Sequence, residues 1–185
     1  MIRRMTSFAV GVLTVLALAV PVGAQANPYV YFGGGGTFPM GDYGDYAKTG
    51  WLANIGIGMD LGSSGLWGDI DFFYGSNGHS DVDGDKTNLT IGALAIGYTF
   101  NREATVKPYI VGTVGTMTHA YKSDQFPSAE GSESMLVFGG GAGLAWTRSE
   151  RTTFWAETRY MTGSKDGSST NFVPLLVGMS FNLKK

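Results

Sequence analysis

The sequence predicts an all-β fold: a closed, antiparallel up-and-down transmembrane β-barrel of about eight strands. Three observations lead there. Glycine fills 29 of 185 positions, against a typical share of roughly 7%, and a glycine inside a helix costs about 1 kcal/mol relative to alanine. Aromatic residues are abundant, with Phe 11, Tyr 9 and Trp 4, a mixture suited to sheets closed on themselves. Apolar and polar residues alternate in runs long enough for a tilted strand to cross a bilayer, which takes about 9–11 residues where soluble strands mostly have about 5–6.

Bounded by Gly, Asn, Asp and Ser, the runs are predicted near 28–38, 51–60, 66–74, 89–100, 107–119, 135–146, 153–162 and 172–183. The connections between them alternate. Segments 39–50, 75–88, 120–134 and 163–171 read as long, and 61–65, 101–106 and 147–152 as short. Barrels of the outer membrane place short turns in the periplasm and longer loops outside, so both ends of the barrel domain are expected in the periplasm.

The first 26 residues read as an export signal. Arg3 and Arg4 precede an apolar run from Phe8 to Val20, Pro21 follows, and Ala24-Gln25-Ala26 supplies a small-x-small site with cleavage predicted after Ala26. That run is too short for a helical span, which needs about 20 residues. The expected domains are therefore a signal peptide over 1–26 and a barrel over 27–185. Removing the signal takes two arginines and no acid, leaving 11 basic against 15 acidic groups and a net charge of −4. No Lys/Arg cluster suggests nucleic acid, and with no cysteine the domain must rest on its hydrogen-bond ladder and burial.

Side-chain parity assigns the faces. Ile70, Phe72 and Tyr74 share one face of the third strand and Asp69 and Asp71 the other; in the seventh, Phe154, Ala156, Thr158 and Tyr160 oppose Glu157 and Arg159. A lipid-facing Arg or Lys at mid-bilayer costs about 2–4 kcal/mol, so the charged faces are predicted to point inward. Arg159 is expected to be neutralised by Glu157, Asp69 or Asp71, filling the lumen. Leu94, Ile96, Tyr98 and Phe100, with Leu175, Val177, Met179, Phe181 and Leu183, are predicted to face lipid, opposite mostly small residues. Aromatic belts are expected from Trp51, Tyr74, Tyr160 and Phe172 outside and from Trp67, Phe100, Tyr109, Trp146 and Phe181 on the periplasmic side. Pro174 is expected at the loop end of the last strand or at a bulge. The fifth strand does not divide clearly into two faces.

Three segments carry a family likeness. Pro28-Tyr29-Val30-Tyr31-Phe32 with Gly33 to Gly36 resembles the first strand of the small outer-membrane barrels that include the OmpA transmembrane domain, OmpX and the opacity-type and Ail-type surface proteins. Trp155-Ala156-Glu157-Thr158-Arg159-Tyr160 is similar to their penultimate strand. Leu176-Val177-Gly178-Met179-Ser180-Phe181 resembles the C-terminal signal read by the barrel assembly machinery, although Asn182 to Lys185 follow the aromatic that usually ends it. The resemblance implies outer-membrane lipids, lipopolysaccharide and that machinery as partners; a C-terminal peptidoglycan-binding domain like that of full-length OmpA is not expected. It specifies a fold and not a function.

Other motifs are weaker. Gly33 to Gly36 opens a strand and lacks a following Gly-Lys-Ser/Thr, so close packing is expected there, not phosphate binding. Asp81, Asp83 and Asp85 could gather a divalent cation but lack the glycine and terminal glutamate of an EF-hand; a solvated acidic loop is expected. His119, with Ser123 four residues on, admits a lipid A-modifying enzyme, and His79 reads as a solvated loop histidine. The predicted function is a non-enzymatic, cofactor-free, monomeric barrel, structural or adhesin-like, that meets an extracellular ligand or host surface through loops 75–88 and 120–134. A narrow porin, a lipid A-modifying barrel and a soluble periplasmic lipocalin-like binder are the alternatives.

Overall fold

A computed structural model describes residues 27–165 and 168–184; the predicted signal peptide lies outside them. Eight strands form a closed barrel in sequence order, β1 to β8, each antiparallel to the next. They are β1 Pro28–Met40, β2 Gly50–Asp60, β3 Leu66–Gly78, β4 Lys86–Thr99, β5 Val106–Lys122, β6 Gly131–Thr147, β7 Thr152–Lys165 and β8 Ser168–Asn182. The barrel is sealed where β1 pairs with β8, from Tyr29↔Asn182 to Met40↔Asn171. Closure leaves no free edge, which a bilayer requires because its core offers nothing to hydrogen-bond. Outward positions carry exposed apolar side chains around the wall, among them Phe32, Ile55, Phe72, Ile96, Ile110, Phe138 and Val177, a girdle that lipid covers.

One end, the turn end, holds the connections 61–65, 100–105 and 148–151. The other, the loop end, holds 41–49, 79–85 and 123–130, with Lys165 and Ser168 paired at the same end. The tight turns use left-handed glycines, as at Gly62 (φ 96°) and Gly65 (φ 97°), a conformation that carries no steric penalty only for glycine. A one-turn helix, α1 (Asp42–Tyr46), folds over the mouth at the loop end.

Several expectations need correction. About half of each of the loops 75–88 and 120–134 is strand, because β3, β4, β5 and β6 continue beyond the predicted ends. Of the segment 163–171, expected as a long loop, residues 163–165 and 168–171 are strand, with Lys165 paired to Ser168. Polar side chains such as Thr162, Ser169 and Asn171 do not end a strand; a ladder needs only backbone partners once it has left the lipid. Phe172, Trp67 and Tyr109 point into the lumen and are buried, so they belong to no belt, whereas Trp51, Tyr74 and Tyr160 do face out. Inward positions of β4 and β8 include Leu89, Ile91, Phe172 and Leu176 and are not uniformly small. Pro174 sits within β8 opposite Thr37 without a bulge; the β7–β8 ladder runs to Thr158↔Leu175 and resumes at Met161↔Phe172, leaving its missing N–H unused. In β5, Tyr109, Val111, Thr113 and Met117 face in, and Ile110 and Val114 face out.

Candidate functional site

Inside, side chains fill the barrel in three levels. Nearest the turn end is a polar knot. Arg159, 3% exposed, donates from Nη1 to Asp71 Oδ2 at 2.9 Å and to Thr113 Oγ1 at 2.8 Å, and from Nη2 to Glu157 Oε2 at 3.3 Å. Its Nε donates to Glu157 Oε1 at 2.5 Å, and its guanidinium carbon stands 5.6 Å from the ring centre of Phe73. Tyr31 donates to Asp71, and Tyr29 donates to Asp69 at 2.6 Å. The structure thus places Asp69, Asp71, Glu157 and Arg159 together in the lumen, with the guanidinium on Asp71 and Glu157 and with Asp69 held by a phenol.

Strand pairing explains this meeting of residues far apart in sequence. Neighbouring strands stack their inward faces at one height, so Tyr31 stands beside Gly56 and Gly56 beside Asp71. Gly56 has no side chain there because a Cβ would come within 2.3 Å of Tyr31. Gly33 and Gly178 likewise clear the way for Trp155, whose ring would lie 2.4 Å and 2.3 Å from an added Cβ. Close packing therefore accounts for Gly33.

Above the knot lies an apolar layer of Leu52, Phe73, Leu89, Ile91, Met117, Val137, Met161, Phe172 and Leu176, each at most 1% exposed. Above that is a polar and aromatic rim under α1. Thr87 Oγ1 lies 2.8 Å from His79 Nε2 and 3.2 Å from His119 Nε2, and His119 Nδ1 lies 3.1 Å from Thr170 Oγ1. Tyr43, fully buried, stacks edge-on against Tyr46 and His119. Tyr46 and Tyr121 flank His79, each 5.3 Å between ring centres. Burial holds His79 below the ordinary histidine range, so the solvated loop histidine of the sequence reading is instead built into the rim.

The other candidate residues separate. His119 engages threonines through both ring nitrogens, while Ser123 Oγ accepts from the Phe126 N–H at 3.0 Å. Among the described residues, no hydrogen bond joins them as a base and nucleophile require. Asp81 and Asp83 are exposed, whereas Asp85 turns in to accept from Tyr121, and hydrogen bonds from Tyr121 and Ser123 hold its carboxyl below the usual carboxylate range. No group of three or more acidic or His side chains among the described residues is placed to hold a metal ion. The partners Tyr29, Tyr31 and Thr113 escaped the sequence reading, as did the rim chain from His79 to Thr170. The register of β1 against β2 and of β2 against β3 would have revealed the tyrosines.

At the turn end the lumen opens into a cavity of about 340 Å3 below Arg159, whose walls include Tyr29, Asn54, Trp67, Asp69, Tyr109 and Trp155.

Comparison with known proteins agrees with this architecture. Residues 10–181 match the family model described as the outer membrane protein β-barrel domain. The fold is similar to that of Neisserial surface protein A, at 15% identity and a TM-score of 0.70, covering 86% of this chain and 99% of that one. It is similar to Ail, the attachment invasion locus protein of Yersinia pestis, at 14% identity and a TM-score of 0.57, covering 86% and 99%. The N-terminal β-barrel domain of Pseudomonas aeruginosa OprF is 21% identical, with a TM-score of 0.53 and coverage of 86% and 100%. No curated protein sequence matches the chain.

Proposed function

The chain belongs to the outer membrane protein β-barrel domain family, and from that premise we propose that it is a non-enzymatic, non-conducting barrel that contacts an extracellular ligand or surface through its loop end. The observation that carries this reading is the double seal of the lumen. Arg159 is tied across it to Asp71 and Thr113, and the apolar layer crosses above with side chains at most 1% exposed. A solute path would have to break buried charge-assisted bonds and then pass a closely filled apolar layer. Chemistry open to partners is left at the loop end, where Asp81, Asp83, Gln125 and Phe126 are exposed, on short connections held by a rigid scaffold. Surface contact by a like architecture is implied by the name of the Yersinia pestis attachment invasion locus protein.

Two measurements test the proposal. Reconstituted in planar bilayers, the barrel is expected to give no stepwise conductance, and discrete openings would return the porin reading. Bacteria displaying it are expected to adhere to cultured epithelial cells and to lose that gain when 79–85 and 123–130 are replaced by two-residue turns. Equal adherence would leave a structural barrel only.

A further inference from the structure

We propose that the cavity at the turn end is a binding site for a small organic ammonium ion carrying one or two amino groups, taken up from the periplasmic side. The first ground is a charge imbalance. Among the described residues, the buried ionic groups around the knot are the carboxylates Asp69, Asp71 and Glu157 against the single guanidinium of Arg159. Arg159 spends four of its five N–H donors on Asp71, Glu157 and Thr113, and Asp69 is held instead by the phenol of Tyr29. At the mouth, Arg102 is paired with Asp60 and Lys107 donates to Thr147; neither reaches Asp69 by a hydrogen bond. A buried carboxylate surplus favours a cation that brings its own donors.

The second ground is independent of charge. Asn54, 6% exposed, lines the same cavity with its Oδ1 bonded to nothing, although buried acceptors are as a rule satisfied. An ammonium N–H is a donor of the kind that Oδ1 and Asp69 both lack. The third ground is the wall. Trp67 and Tyr109 meet edge-on at 5.8 Å between ring centres, and with Tyr29 and Trp155 they give the cavity an aromatic lining, which attracts organic cations in preference to anions. The volume of about 340 Å3 lies in the range of small-molecule sites, roughly 300–1,000 Å3.

The test uses the barrel refolded in detergent, its folding checked by the heat-dependent gel shift, and titration calorimetry with cadaverine. Saturable binding is expected for cadaverine and none for glutarate, a chain of the same length and opposite charge. Asp69→Asn is expected to weaken cadaverine binding by about ten-fold or more, the loss of one charge-assisted bond. Ala145 also lines the cavity, and Ala145→Phe, which fills it without changing charge, is expected to abolish binding. Asp42→Asn, altering an exposed acid of α1 at the far end, is expected to bind as the parent does. Absence of saturable binding to the parent protein overturns the proposal, whether or not the variants refold. So does equal uptake of glutarate, or undiminished binding by refolded Asp69→Asn or Ala145→Phe.

Discussion

In the half of the lumen nearest the turns, Arg159 reaches two carboxylates and two tyrosines cap the acids; in the half beneath α1, Leu89, Ile91, Met117 and Phe172 are buried with no polar partner to find. Both halves fill a barrel of one width, and they differ in what holds them closed. The polar half depends on direction, since each donor must meet its acceptor. The apolar half depends on volume and tolerates any side chain of the right size. The barrel is brittle in its polar half and can yield in its apolar half.

Breaking the polar half should have the largest effect. Arg159→Leu leaves Asp71 and Glu157 buried without their cation, and removing one partner of a buried pair typically costs about 3–5 kcal/mol. Urea unfolding of the barrel in lipid vesicles is expected to show that loss in its midpoint; a shift under about 1 kcal/mol would mean that water already screens the knot. Truncation in the apolar half comes next. Leu89→Ala, at a site 0% exposed, is expected to cost about 2–5 kcal/mol in the same assay, toward the lower figure if Met117 relaxes into the space. A loss as large as that of Arg159→Leu would remove the distinction between the halves.

A finer change separates charge from hydrogen bonding within the knot. Tyr31→Phe keeps the ring and deletes only the donor to Asp71, so a loss of about 1.5–3 kcal/mol is expected, as for a bond to a charged group. Stability unchanged by this substitution would show that Arg159 alone satisfies Asp71.

The same contrast governs what the sequence could reveal. Asp69, Asp71, Glu157 and Arg159 were legible because a charge within an alternating strand can face only one way, and the eight-strand barrel followed from the same alternation. The apolar half was not legible. Leu89 and Ile91 on the inner face of β4 are as apolar as Leu94 and Ile96 on the outer face, so parity loses its signal, and Phe172 passed for a lipid-facing aromatic. The glycines suggested small inward positions, while the tyrosines and tryptophans they make room for come from neighbouring strands, a relation that only the register supplies. The rim escaped for a different reason. His79, Thr87, His119 and Thr170 lie on separate strands and connections, and none belongs to a motif.

The rim offers the smallest expected effect and the sharpest contrast with the knot, because among these levels it holds a histidine on a connection, His79, whose pKa burial lowers. His79 bridges to Ala47, Ser80 N–H donates to Tyr46 O at 2.8 Å, and Lys48 N–H donates to Gly78 O at 2.7 Å, so the 79–85 connection and the α1 segment are laced together at this residue. Burial lowers the His79 pKa, with Asp85 and Asp81 opposing that shift without reversing it; Tyr46, Tyr121 and, through Thr87, His119 are its other neighbours. A histidine depressed in the folded state binds its proton more readily when released. Its stabilising contribution is therefore complete above the unfolded value of about 6.5 and declines as pH falls through and below it. Amide exchange at Ser80 and Lys48, corrected for intrinsic rates, is expected to be faster at about pH 5 than at about pH 7, with the Thr113 amide beside the knot unchanged. In His79→Gln the pH difference at the rim should vanish. If it persists undiminished, α1 is held by its tyrosines and the histidine only fills space between them.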